Sequence, residues 1–500
     1  MKNLLTNQKL SKIVSISKCV FLCIFTFYLI TREITALNYF IDNYFVTGFF
    51  MGMSVLYIGY DLLTNRFCLK TRYFPACLIF LGVTVASCIM NSEYGIFSNL
   101  KGLATFTIYF FLLYPEAFSD KKTTVFKSCM NTAFFTMSIY SIVSIGMYIF
   151  NVYYYTVDLF FQGFHQTARR LWGIYQDPNY LALYSLLIIF AAVYLFMKTK
   201  SIFMKILYIL LGIIHLTTFS MSGSRTGIVC LIAALFWIST ITCVKILKQK
   251  LFVRILIFLL TAVLSVALPF ATIKALNSGM PYVRKAILHS ITANDFEKVH
   301  KLYDNLFEFG HFPIHSKSEY DIKDFPFDNI NSSVDRVNSS EDPTSGRFDR
   351  WIDGLKLLAE KPFFGISPRN IFSFADKSDT DTLMGEEDYN IHNTYLEILA
   401  GAGIIGAVFV MAFLLLAAFF ILKAVFKNTP DLKTIICTTQ ILMIVLSAML
   451  LPDIIFFQLT FAGLVFWLAL GYCLNTNEEN YKNSSTYKLL AKCFKRKSES

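Results

Sequence analysis

Residues 392–422 read HNTYLEILAGAGIIGAVFVMAFLLLAAFFIL, and this stretch decides the architecture. It opens on His392 and Asn393 and becomes an apolar run, with Glu397 as its one charged residue, longer than the ~20 residues that cross a bilayer. Immediately before it lies one long hydrophilic segment, residues 272–391. Around that pair, apolar runs of near-spanning length fall at about 14–30, 44–63, 74–90, 102–118, 129–150, 180–197, 202–221, 226–244, 252–271, 434–451 and 454–474. With 55% hydrophobic residues, 51 Phe and a mean hydropathy of +0.53, a soluble 500-residue globule is excluded. The expected fold is an all-α integral membrane protein of about 12 transmembrane helices with one large, partly helical extracytoplasmic loop. The expected divisions are 1–271, helices 1–9 with short loops; 272–391, the large loop; 392–474, helices 10–12; and 475–500, a basic tail.

The first run follows Lys2, Lys9, Lys12 and Lys18 and ends at Leu29-Ile30-Thr31-Arg32 without a small-residue cleavage site, so it reads as a retained span. With the N-terminus inside, the cytoplasmic segments hold 26 of the 45 Lys and Arg, the short outer loops 5 and the long segment 14. That bias places both termini in the cytoplasm and the long loop outside. The net charge of +11 is therefore an orientation signal, and nucleic acid is not an expected partner. The long segment is acidic, with 20 Asp and Glu against 14 Lys and Arg. The tail from Lys488 to Lys497 reads as a positive-inside anchor or a contact with anionic lipid. The 11 Cys fall in spans or inner segments without zinc-site spacing, so neither a disulfide framework nor a metal is expected.

Ionisable residues are nearly absent from span interiors on this reading, with His215 the clearest exception, and no internal repeat is visible. An ion-coupled carrier would place polar groups near the midplane and show related halves. Here charge gathers at the outer face in four clusters. Arg169-Arg170-Leu171-Trp172-Gly173 and Gln176-Asp177-Pro178-Asn179 precede the sixth span; the second motif reads equally as a turn and helix cap, and the arginines as headgroup contacts or ligand contacts. Ser222-Gly223-Ser224-Arg225-Thr226-Gly227 is a tight turn that needs its glycines but not its arginine, so Arg225 is a candidate anion ligand. Residues 347–358 form an amphipathic helix in which Phe348, Trp351, Ile352, Leu355 and Leu358 share one face. Arg347 lies at the edge of that face and Arg350 further round, which favours Arg347 for a covered site and a surface salt bridge for Arg350. His392-Asn393 opens the tenth span, where a histidine can also be a cap or interfacial residue, and Ala400, Gly403 and Ala407 read as a small-residue packing stripe.

Pro178-Asn179 before a span, Ser224-Arg225 in a turn, Arg347 four residues before Trp351, Pro362-Phe363-Phe364-Gly365, and the block from His392-Asn393 to Gly406 occur in that order. Together this pattern, over roughly 165–420, resembles the O-antigen ligase and polymerase family of bacterial membrane glycosyltransferases. Ser367 departs from it, standing where the family often has a second glycine after Gly365. The resemblance implies a GT-C-like enzyme of the bacterial cytoplasmic (inner) membrane. Such an enzyme moves a glycan from an undecaprenyl diphosphate-linked oligosaccharide to a glycan or lipid acceptor at the outer face. It implies His392 as general base, with Arg225 and Arg347 as the other catalytic residues on the leaving diphosphate. Arg169, Arg170, Asn179, Arg350 and Asn393 are implied to bind substrate. Membrane lipids and polysaccharide-assembly proteins such as a flippase and a chain-length regulator are the implied partners. No cofactor is implied; Asp379-Thr380-Asp381 matches the short D-x-D pattern of metal-using sugar transferases, weakly in so acidic a loop. Polymerase ranks first, ligase to lipid A-core or another acceptor second, and a polysaccharide flippase or exporter is the reading from another class.

Overall fold

The structure is a computed structural model that describes residues 8–64, 71, 73–119, 124–156, 161–246, 250–309, 314–318, 325–326, 333–334, 346–378, 382, 390–427 and 430–475. Asp379-Thr380-Asp381 and the basic tail lie outside the described residues. The helices run α1 (Gln8–Thr31), α2 (Thr35–Ile41), α3 (Tyr44–Thr64), α4 (Phe74–Met90), α5 (Ile96–Ile108) and α6 (Tyr114–Ser119), the last two joined by a π-turn, then α7 (Thr124–Ile149). Three strands follow, β1 (Tyr153–Thr156), β2 (Phe161–His165) and β3 (Arg170–Gly173), before α8 (Pro178–Lys198), α9 (Ile202–Ser222), α10 (Arg225–Ile241), α11 (Leu251–Ser290) and α12 (Ala293–Phe309). After β4 (Ile314–Lys317) come α13 (Arg347–Glu360), α14 (Ile371–Lys377), α15 (Thr394–Lys427), α16 (Leu432–Ser447) and α17 (Phe461–Asn475). Among the described residues, nine helices are long and apolar enough to cross a membrane, and Ala76–Met90, Leu432–Ser447 and Phe461–Leu474 are shorter apolar helices. The protein is a mostly helical, multi-pass membrane protein.

The chain divides into two compact units. The first comprises residues 1–22, 49–126 and 342–500. Its core centres on the fully buried Trp467, ringed by Phe106, Phe110, Tyr114, Phe413 and Phe456, with the indole Nε1 donating to the Ile455 carbonyl at 2.8 Å. The run expected at 454–474 is helical only from Phe461. Pro452 cannot donate to a helix, and Asp453 takes over the freed amides: its carboxylate accepts from Ile455, Phe456 and Phe457. The Tyr109 hydroxyl completes the local accounting, donating to Gln458 O at 2.7 Å and accepting from Thr460 N at 2.8 Å.

This unit also corrects the view that His215 is the clearest ionisable exception in the span interiors. Lys18 is buried inside α1, with Nζ 2.7 Å from both Asp61 of α3 and Glu116 of α6. A cation in hydrocarbon needs such partners, and three helices supply one group each.

The second unit comprises residues 23–48 and 127–341. Here the all-α expectation is corrected: the four strands form an antiparallel sheet in the order β3-β2-β1-β4. Tyr153, Tyr154, Tyr155 and Thr156 are strand formers, but four residues are too few to show alternation. The long helix α11 continues through residue 272 to Ser290, past Pro269 and Pro281. Arg284 Nε donates to Ile149 O at 3.1 Å, Tyr303 to Val143 O at 2.8 Å, and Tyr154 to Asp304 at 2.9 Å, fixing α11, α12 and the sheet to the end of α7. His215 is a packing residue, held by Ser138 at 3.0 Å and Ser141 at 3.3 Å.

Candidate active site

In the second unit, Asp177, Pro178 and Asn179 form the helix start that their sequence allows. Asp177 caps α8 by accepting from Asn179 N at 2.5 Å, and Pro178 takes the first helical position, where no amide is needed. Gly223 ends α9 in the left-handed conformation, φ 60°, and Ser224 caps α10 by accepting from Gly227 N at 3.1 Å. The Ser224 hydroxyl donates to Asn179 Oδ1 at 2.8 Å, so the two motifs are stitched together. Arg225 is the first residue of α10 and is exposed. Arg170 Nε donates to Ser222 O at 2.9 Å, placing its cation on the terminal carbonyls of α9. Arg169 precedes it at a positive φ of 51°, uncommon for a non-glycine residue. The structure thus brings Arg170, Asn179 and the turn before Arg225 into one hydrogen-bonded junction. Ser224→Ala removes both the cap and the link to Asn179, and is expected to lower stability by about 1–2 kcal/mol, measurable as a fall in thermal midpoint.

A buried carboxyl at this junction escaped the sequence reading. Glu33 follows α1, and its segment pairs with the chain just before Asp177 through Gln176 N→Glu33 O at 3.2 Å and Thr35 N→Ile174 O at 3.1 Å. Burial pushes the Glu33 carboxyl up to about 7, against the pull of Arg32 and with the help of Asp42 and Asp177. The one available signal was an Arg32-Glu33 pair directly after a span.

In the first unit, α13 and the start of α15 carry the remaining candidates. The helix predicted at 347–358 is present, but its apolar face is divided: Phe348, Ile352 and Leu355 are exposed and Trp351 packs inward, while Asp353, Gly354 and Leu357 are buried. Gly354 makes this possible, because a Cβ there would lie 3.0 Å from Ile391 Cδ1. Leu357, Ile366, Ile391 and Ala400 form the underlying core, with Trp351 and Leu396 packed against it. At about 100° per residue Arg350 falls toward this packed side, and both Arg347 and Arg350 are half-buried. His392 stands at φ 54° and is half-buried, with Nδ1 enclosed and without a hydrogen-bond partner. Burial, then Arg350, then Arg347 pull its imidazole down from 6.5 to about 4, which leaves it neutral at physiological pH. Asn393 Oδ1 caps α15, accepting from Tyr395 N at 3.0 Å and Leu396 N at 3.2 Å. Glu397 is buried one turn further, its Oε2 accepting from Asp453 N at 2.7 Å.

The packing stripe expected of Ala400, Gly403 and Ala407 is also corrected, because Gly403 breaks α15 with φ 67° and ψ −176°. The loop from Pro362 docks into that break. Ile366 N donates to Ala400 O at 2.9 Å, Ser367 N to Gly401 O at 2.8 Å, and Ile404 N to Pro362 O at 2.8 Å, so main-chain groups released by the break are satisfied. Ser367 takes a positive φ of 78° and donates its hydroxyl to Asn99, which supports a conformation that glycine would adopt more readily.

Among the described residues, no group of three His, Cys, Asp or Glu side chains could hold a metal ion. No curated protein matches the chain. Residues 210–411 match the family model described as O-antigen ligase, a range that includes Arg225, Arg347, the docked loop and His392. The chain is thus a multi-pass membrane protein that is similar, over those residues, to the O-antigen ligase family.

Proposed function

We propose that this protein polymerises undecaprenyl diphosphate-linked repeat units of O-antigen, or of a capsular or exopolysaccharide, at the outer face of the bacterial cytoplasmic membrane. On this reading twelve helices span in a GT-C-like arrangement, both termini are cytoplasmic and the loop over 272–391 is extracytoplasmic. The observation that carries it is His392, neutral, enclosed and within electrostatic reach of Arg350 and Arg347 at the start of α15. In the reaction the bond between sugar C1 and the diphosphate oxygen breaks, and a bond from C1 to the acceptor oxygen forms. The acceptor's proton passes to His392, and the carrier diphosphate leaves with the electron pair. Arg225 and Arg347 are assigned to that diphosphate, supported by Arg169, Arg170 and Arg350, because guanidinium charge does not depend on pH and matches phosphate oxygens in pairs. Asn179 and Asn393 are assigned to substrate binding. A base at about 4 is weak, but a bound diphosphate offsets Arg350 and Arg347 and lets the imidazole rise toward neutrality when it is needed. The acid limb of kcat is therefore expected at higher pH than that of kcat/KM.

Purified protein incubated in EDTA with lipid-linked repeat units as sole substrate is expected to yield a ladder of products by size. Transfer seen only after adding lipid A-core or another acceptor would make it a ligase. Neither product, with movement of the lipid-linked glycan across vesicles, would make it a flippase. Loss of the ladder in EDTA with recovery on Mg²⁺ or Mn²⁺ would overturn the metal-independent chemistry.

A further inference from the structure

Helix α13 is apolar where it should be polar if water lay beside it. Phe348, Ile352 and Leu355 recur at helical spacing and are 57%, 53% and 48% exposed, on the side opposite the packed Asp353, Gly354 and Leu357. The depth of the helix follows from what it packs on. Its buried side rests on Ile391, Leu396 and Ala400, at the beginning of α15 and before the break at Gly403. The remainder of α15, from Ile404 to Lys427, is about 36 Å long at ~1.5 Å per residue, enough alone to cross a ~30 Å hydrocarbon core. The segment before Gly403, and α13 with it, therefore lies at the edge of that core. The elements that α13 joins are apolar on the outside as well: Phe363, 65% exposed, follows α13 in the loop docked on Ile404, and Ile404, Val408, Met411 and Leu415 of α15 are all exposed.

We propose that α13 is an interfacial helix whose Phe348-Ile352-Leu355 face lies among the acyl chains of the leaflet bordering the α15 N-terminus. The helix it packs on is long and apolar enough to cross the membrane and exposes apolar residues of its own, and this selects phospholipid as the occupant of the stripe. The charged neighbours Asp349 and Glu360, both exposed, flank the stripe toward the headgroups. Such seating sets the height of Arg347 and Arg350 above the hydrocarbon, because both project from the same rigid helix. The contact is independent of which glycan transfer the protein performs.

The test is photocrosslinking of the full-length protein in phosphatidylethanolamine–phosphatidylglycerol vesicles, with p-benzoylphenylalanine replacing Phe348, Ile352 or Leu355 in turn, and Asp349 or Glu360 as controls. All five positions are exposed, so folding is expected to be retained and is checked by elution volume. Phospholipid adducts identified by mass are expected at 348, 352 and 355, at a yield about 5-fold or more above that at 349 and 360. Adducts to another segment of the chain or to a second copy, or lipid yields equal at all five positions, would overturn the proposal.

Discussion

Replacing His392 with alanine is expected to slow glycan transfer by about 10²- to 10⁴-fold, with the protein still folded and the donor still bound. The residue stands at φ 54°, so His392→Asn serves as a second variant, since asparagine tolerates that backbone region while offering no base. Both are expected to be slowed to that extent. Measurement is by single-turnover transfer from a lipid-linked donor; a variant that retains most of its rate would remove His392 from the chemistry. The pH profile adds a sharper check. Burial, Arg350 and Arg347 hold the imidazole near 4 instead of 6.5, so the free enzyme is expected to keep its active, neutral histidine well below pH 6.5. Arg350→Gln removes one of those causes and is expected to move the acid limb of kcat/KM upward. The stability linkage has a definite sign. Between about 4 and 6.5 the unfolded chain binds more protons at this site than the folded one, so its contribution to stability rises with pH across that window and is level above it.

Gly403→Ala is expected to destabilise the protein by at least about 3 kcal/mol, and to reduce the yield of folded protein. Two effects combine. The backbone there is left-handed, and a Cβ would lie 2.2 Å from Phe363 O and 2.4 Å from Phe363 C, atoms of a main chain that cannot rotate away. Gly365→Ala meets the mirror-image problem, with φ 72° and a Cβ 2.5 Å from Ala400 O. Gly212→Ala is the contrasting control: it sits inside α9 with nothing within 4 Å and is expected to be neutral or to stabilise by up to about 1 kcal/mol. Thermal unfolding in detergent compares all three, and a Gly403→Ala protein as stable as Gly212→Ala would refute the docked-loop account.

The membrane class and most helix positions were legible because they rest on apolar length, a signal that survives any tertiary arrangement. The α13 boundaries were legible for a similar local reason, with Gly346 before Arg347 and Lys361-Pro362 after the last turn. Its orientation was not, because periodicity reports that one face is apolar without saying whether protein or lipid covers it. Gly354, which lets Ile391 approach, is the residue that marks the packed side. The Gly403 break was hidden for another reason: a glycine in an apolar run reads equally as helix packing and as a left-handed residue, and only the partner loop distinguishes them. The sheet joins residues 153–156 to 314–317, too far apart for local patterning to connect. Among candidate site residues, Asp177 was legible as a cap, whereas the capping role of Asn393 was overshadowed by its neighbour His392.

The buried Lys18 has a consequence for how the protein is made. Its two partners lie 43 and 98 residues later in the chain, so α1 reaches the bilayer before either carboxylate has arrived there. Until then Lys18 carries an insertion penalty of up to about 3 kcal/mol, eased by reaching toward the headgroups. The arrival of Asp61, and then of Glu116, relieves it in two steps. A chain truncated after residue 60 is therefore expected to hold α1 less firmly in the membrane than one truncated after α6, which makes the order of arrival part of how this helix finds its place.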